Sequence, residues 1–154
     1  MDRLEQMILK DGILVVMLSR NDGPLLSTAQ SPSDLIMNVG AIDPLEVTKD
    51  EIPPIIWTSR GPTFNGGMGV AISGPSCAMT STPKWPPHNG TPSKLAHGTS
   101  ISSPIVCGCM ALLLSSLKQK QLFYSPISVR RAVENTGLKM ADYDLHAHGN
   151  EVGS

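Results

Sequence analysis

Aromatic residues are scarce: the 154 residues include two Trp, two Tyr and two Phe. A core made almost without them has to be assembled from Leu, Ile, Val, Met and Ala, and the 40% hydrophobic content is ordinary for a globular chain. An excess of charge of either sign is also missing. Twelve Lys and Arg against thirteen Asp and Glu leave a formal net charge of -1, so the electrostatic footprint of a nucleic-acid-binding protein is absent. No block of like charges forms an acidic tail or a basic membrane-binding patch. Cysteine is rare. Of three in the chain, Cys107 and Cys109 share one apolar, helix-like run, which is not the spacing of a disulfide framework. A reducing, cytoplasmic setting is therefore expected. The N-terminus, Met1-Asp2-Arg3-Leu4-Glu5-Gln6, carries charges where a secretory signal has an apolar stretch. Ile13–Leu18, the longest apolar run near it, is too short to span a bilayer.

What is present is a succession of short apolar runs punctuated by Gly and Pro. Residues 1–11 pattern as a helix with Leu4, Met7 and Ile8 on one face, ended by Asp11-Gly12. Ile13–Leu18 is continuously apolar rather than alternating, which marks a strand buried on both faces in a parallel sheet. Asn21-Asp22-Gly23-Pro24 is a turn at that strand's C-terminal end. Leu35–Val39, Pro54–Trp57 and Gly69–Ser73 are predicted as further short strands, the last closed by Gly74-Pro75. Residues 76–99 hold Pro83, Pro86, Pro87 and Pro92 among Ser, Thr, Asn and Gly, and are predicted as a surface loop. From Ser100 to about Lys118 the chain is apolar almost all round a helix, which predicts burial. Lys118 and Lys120 then complement the C-terminal end of the helix dipole. A second helix is predicted over 126–135, with Ser125 as N-cap and Pro126 at the first helical position. The fold class is α/β, a mainly parallel sheet flanked by helices.

The most informative stretch is His97-Gly98-Thr99-Ser100-Ile101-Ser102-Ser103-Pro104, which leads into the apolar helix. Gly98 permits a tight turn, and Ser100 then stands in the first helical turn. Pro104 is tolerated there because first-turn N–H groups have no intrahelical partner. The helix N-terminus aims N–H groups and a positive dipole end at whatever lies beside Ser100, which suits a developing oxyanion. A helix set in the core also fixes the serine more tightly than a loop could. Taken alone, Gly98–Ile101 favours a serine that merely caps a core helix. The longer string, with Cys107-Gly108 and the Leu-rich continuation, adds the specificity.

Gly-Thr-Ser-x-[Ala/Ser]-Ser-Pro opening a buried helix resembles the nucleophile motif of the subtilisin-like serine peptidases, the subtilases. Two further segments stand where that family has them. Trp57–Pro62 followed by Gly69–Pro75 resembles the strand–turn–strand that precedes the nucleophile loop. Asn21, just past a buried strand, matches the position of the family's oxyanion-hole asparagine. Within the family the resemblance is to the tripeptidyl peptidase II type. Asn21-Asp22-Gly23-Pro24-Leu25-Leu26-Ser27-Thr28 resembles its Asn-Asn-Gly-Pro-x-x-Ser-Thr, and Cys107-Gly108, Ala111–Leu117 and Ser128–Thr136 also match. The likeness runs from about residue 2 to about residue 149. It implies the C-terminal half of a subtilisin-like peptidase domain over 1–149, with 150–154 a divergent tail.

The resemblance implies Ser100 as nucleophile, and Asn21 together with the Ser100 N–H as oxyanion donors. It implies peptide substrates, tripeptides released from free N-termini, no cofactor and no metal. Neither nucleic acid nor membrane is implied as a partner. The homo-oligomer of the full-length family depends on regions beyond these residues. The chain contains neither the family's Asp-[Ser/Thr]-Gly turn nor its His-Gly-Thr-His segment, so the serine lacks its base and the isolated chain is expected to be inactive. His97 stands where an Asn is usual, Arg20 where a small Gly precedes the asparagine, and Pro32-Ser33-Asp34 shortens a Gly-rich stretch. The rigid turn between them disfavours His97 as a substitute base for Ser100. The rival reading is a non-catalytic subtilase fragment or decayed paralogue that acts through binding. A third, a metal site from Cys107, Cys109, His146 and His148, is disfavoured because positions 107 and 109 point to different sides of a helix.

Overall fold

The computed structural model describes residues 3–23, 33–48, 52–53, 55–81 and 93–139. Three strands, β1 (Val16–Leu18), β2 (Met37–Ile42) and β3 (Ile72–Pro75), form a sheet in the order β1-β2-β3, parallel throughout. Burial on both faces belongs to the central strand and not to Ile13–Leu18, for which it was predicted: β1 is an edge strand, half-buried, and Ile13 is exposed. Met37, Asn38, Val39, Gly40 and Ala41 are all buried, because both faces of β2 are covered. The strand bounds differ from those of the apolar runs that announce them. Ile13–Val15 leads into β1 without pairing as strand, β2 begins two residues later than predicted and extends to Ile42, and β3 is shifted towards Pro75. Gly69 explains the last shift, since its φ of +84° turns the chain before β3 can begin.

The run predicted as a strand over Pro54–Trp57 is not one. Pro54 lies outside the described residues, the Ile55 N–H reaches the Ala41 carbonyl at 3.4 Å, and the Thr58 N–H folds back onto the Ile55 carbonyl at 3.1 Å. The fold-back of Thr58 onto Ile55 makes a turn, and one bond to Ala41 does not make a ladder. The predicted loop over 76–99 is corrected as well. Its two ends are strands, β4 (Cys77–Ser81) and β5 (Ser93–His97), paired antiparallel. The four prolines that suggested a loop all fall between the two strands, in residues outside the described set.

Helix α1 (Arg3–Leu9) precedes β1 and buries Ile8. Helix α2 (Thr99–Gln119) lies on the parallel sheet, and helix α3 (Pro126–Thr136) follows it. The core joins Met37 and Val39 of β2 to Val106 and Met110 of α2 and Val129 of α3. At α3 the predicted start is realised. The Ser128 N–H donates to Ser125 Oγ at 3.1 Å, and the Ser125 N–H donates to Ser128 Oγ at 2.8 Å, a reciprocal cap. Helix α2 is buried on its sheet side only. Leu112 is 75% exposed, Leu113, Cys107 and Cys109 are also exposed, and a Cβ built at Gly108 meets open space. Its length and composition would suit a membrane crossing, yet its inner side packs on β1, β2 and β3 as a core helix does.

Close approach of α2 to the sheet depends on Gly74. A Cβ there would lie 2.7 Å from Val106 Cγ2 and 3.0 Å from Ser102 Oγ. The same Ser102 hydroxyl donates to the Gly40 carbonyl at 2.7 Å, which ties the first turn of α2 to the middle of β2. Gly74→Ala is therefore expected to push the helix off the sheet at a cost of about 1–3 kcal/mol. A lower urea midpoint with an unchanged slope would register it.

Candidate active site

The site grows from the C-terminal end of β1. After Leu18 the chain buries Ser19, whose N–H donates to the Val39 carbonyl at 3.0 Å. Arg20 then takes a left-handed conformation, φ +85°, which an L side chain adopts only at a cost of roughly 1–2 kcal/mol. The turn is pinned from one direction. The Arg20 carbonyl accepts from the Ser59 N–H at 3.1 Å, the Asp22 N–H donates to Ser59 Oγ at 3.1 Å, and the Gly23 N–H donates to the Trp57 carbonyl at 2.9 Å. Arg20 Nε also pairs with Asp22 Oδ2 at 3.0 Å, so an ion pair brackets Asn21.

From the other direction comes β5, which runs straight into Gly98, Thr99 and Ser100. Gly98 has φ +142°, its N–H donates to the Ser76 carbonyl at 2.9 Å, and its own carbonyl accepts from Ile101 and Ser102 as α2 begins. Gly98 offers no side chain to cap the helix, and with the Thr99 N–H given to Asn21 and those of Ile101 and Ser102 to the Gly98 carbonyl, the Ser100 N–H is the first-turn donor left over. Thr99 is fully buried, and both its N–H and its hydroxyl donate to Asn21 Oδ1 at 3.0 Å.

That pair of bonds orients the Asn21 amide. With Oδ1 held by Thr99, the Nδ2 end is turned the other way. A Cβ at Gly98 would lie 3.4 Å from Asn21 Nδ2, 3.7 Å from the Ser100 nitrogen and 4.0 Å from Ser100 Oγ. Amide donor, helix N–H and hydroxyl therefore ring one small space, and the Ser100 side chain stands exposed beside it. Two nitrogen donors and a hydroxyl within 4 Å of one point are the kinds of group that a developing oxyanion and its carbon would require.

The family model of the subtilases matches residues 1–152. The chain belongs to the subtilase family. Among curated proteins the subtilase chain is 33% identical to tripeptidyl-peptidase 2 of Drosophila melanogaster over 159 residues, covering 96% of this chain, and 37% identical to that of Arabidopsis thaliana over 153 residues, covering 92%. It spans 11% of the length of each of these relatives. The crystal structure of tripeptidyl peptidase 2 superposes with a TM-score of 0.66 at 31% identity, over 94% of this chain and 10% of that one. The structure of the prenylagaramide maturation protease PagA shares the fold, with a TM-score of 0.63 over 84% of this chain and 42% of that one.

Within this subtilase chain, Asn21 and Ser100 are brought together, and His97 is not drawn in. His97 is exposed at the end of β5 and makes no hydrogen bond to Ser100 among the described residues. Among those residues no three Cys, His, Asp or Glu side chains converge on one point. Cys107 and Cys109 are free and exposed on α2, while His146 and His148 lie outside the described residues. Sequence reasoning did not assign roles to Ser59 or Thr99. Ser59 sat inside a Gly/Pro turn, and Thr99 was one letter of the nucleophile motif. Both hydroxyl residues are fully buried, which no periodicity in either turn announces.

Proposed function

We propose that this chain carries the nucleophile and oxyanion site of a serine peptidase that releases tripeptides from peptide N-termini through an acyl-enzyme. The observation that supports this best is the shared space between Asn21 Nδ2, the Ser100 nitrogen and Ser100 Oγ. Ser100 Oγ attacks the scissile carbonyl carbon, and the negative charge that develops on the oxygen is received by the Asn21 amide and the Ser100 N–H. The hydroxyl proton needs a base, and in this reading the imidazole and its orienting carboxylate come from polypeptide outside these residues. Residues 1–149 then form the nucleophile-bearing half of the peptidase domain. Three free cysteines, two of them exposed, suit a cytoplasmic setting.

The test is labelling by a fluorophosphonate, which reacts only with an activated serine. Residues 1–154 alone should label no more than their Ser100→Ala variant. The same residues joined to the remainder of a subtilase domain should label, and Ser100→Ala should abolish it. Ser100-dependent labelling of the isolated chain would show a base within it and overturn this account. Failure of the joined domain to label would favour the second reading, a non-catalytic subtilase fragment. That reading draws support from the left-handed Arg20 beside Asn21.

A further inference from the structure

One face of the β4–β5 hairpin carries a chemistry that peptide hydrolysis does not use. In the ladder Cys77 is opposite His97 and Met79 is opposite Leu95. The Gly98 N–H donates to the Ser76 carbonyl, so Ser76 and Gly98 form a hydrogen-bonded pair. Antiparallel pairs alternate, which makes Cys77–His97 and Met79–Leu95 the non-hydrogen-bonded kind, with Cα atoms about 4.5 Å apart and side chains close. Residues two apart on a strand share a face. Cys77, Met79 and His97 therefore stand on the same side of the ribbon, with His97 directly opposite Cys77 and diagonal to Met79, within reach of a long side chain.

This face is not turned into the core. Met79 is 66% exposed, Leu95 is 51% exposed, and His97 is exposed, with Cys77 half-buried beneath them. A thiol, a thioether and an imidazole at such spacing form a soft donor set. Thiolate and thioether sulfur select monovalent copper over the harder divalent ions, and imidazole suits copper equally. Methionine's unbranched, freely rotating side chain lets its sulfur close on a metal already held by the other two. The geometry points to a monovalent copper site formed by Cys77 Sγ, Met79 Sδ and one His97 ring nitrogen. Binding exchanges the Cys77 thiol proton for the metal, with the proton released to solvent and no change of oxidation state. Because β5 continues into Gly98 and Ser100, the occupied site would clasp the strand that delivers the nucleophile.

Cys107 and Cys109 would also take a soft metal, so the test begins from the full chain with Cys107→Ser and Cys109→Ser. Cu(I) is supplied without oxygen in competition with the chromogenic chelator bicinchoninate. About one equivalent should be withdrawn from the chelator, and X-ray absorption should show sulfur and nitrogen together on the copper. Cys77→Ser should remove binding. Met79→Leu and His97→Ala should each weaken it by more than the roughly tenfold to hundredfold that loss of a supporting partner costs. Leu95→Ala, on the same face without a donor, should leave it unchanged and controls for the fold of the hairpin. Binding untouched by Met79→Leu or by His97→Ala, copper held by sulfur alone, or tighter retention of Zn(II) than of Cu(I) would each overturn the assignment.

Discussion

Joined to the remainder of a subtilase domain, the Ser100→Ala variant should turn over peptide about 10⁶-fold more slowly than its parent, a loss of roughly 8 kcal/mol of transition-state stabilisation. The size follows from what the substitution removes. Without Ser100 Oγ no acyl-enzyme forms, and the base has no proton to take. What survives is binding together with the two N–H donors, which in subtilisin leaves about 10³–10⁴ over the reaction in water. Ser100→Ala keeps its backbone N–H and the α2 N-terminus, so the residual rate should persist and should fall again when Asn21 is also replaced. A Ser100→Ala variant within about tenfold of its parent would place the nucleophile elsewhere.

Replacing Asn21 tests the other half of the site. In subtilisin the loss of an oxyanion asparagine costs about 10²–10³ in turnover, and the same order is expected for Asn21→Ala. The loss should fall on kcat with KM nearly unchanged, because the donor acts on charge that appears only in the transition state. Asn21→Asp separates this role from a structural one. Asp keeps an oxygen for the Thr99 N–H and hydroxyl, both of which donate to Asn21 Oδ1 at 3.0 Å. It lacks the donating Nδ2 and adds negative charge beside the forming oxyanion. An Asn21→Asp variant that unfolds at its parent's urea midpoint yet loses at least as much kcat as Asn21→Ala would assign the effect to the amide donor. Retained turnover in Asn21→Asp would show that Nδ2 takes no part.

Local chemistry was legible where a single residue type dictates it. Ser125 before Pro126 announced α3, because a hydroxyl cap and a missing N–H each suit one helical position. A strand was legible near Val39, but the double burial was read into Ile13–Leu18, whose apolar run belongs to a half-buried edge strand, and not into β2, where Asn38 interrupts the apolar pattern. The hairpin was not. Ser93–His97 is mostly exposed and Cys77–Ser81 mostly half-buried, their pairing skips a proline-rich interval, and their residues carry little β preference. The run over Pro54–Trp57 was misread for the opposite reason: its described residues are apolar as a strand's would be, yet they form a turn in which the Thr58 N–H folds back onto the Ile55 carbonyl. The expectation of burial for α2 came from composition alone. Composition reports which residues would accept a cover, and Leu112 and Leu113 show that these described residues do not supply one on the outer side. The pairing of Asn21 with Ser100 was suggested by resemblance. Periodicity says nothing of two residues that meet only when three strands and a helix are in place.

That distance has a bearing on timing. The bonds from Thr99 to Asn21 span 78 residues, and the turn that holds Asn21 depends in turn on Ser59. Contacts this far apart in the chain form late, because loop-closure entropy must be met before they return any stability. A chain with only β1 and β2 assembled can present neither donor correctly, since Gly98 and α2 have yet to dock on Gly40 and Gly74. Whatever acyl-transfer capacity the site confers is thus withheld from every partly folded species. In the proposed reading, a newly made chain would have no oxyanion site to turn on its unfolded neighbours until α2 has docked on the sheet.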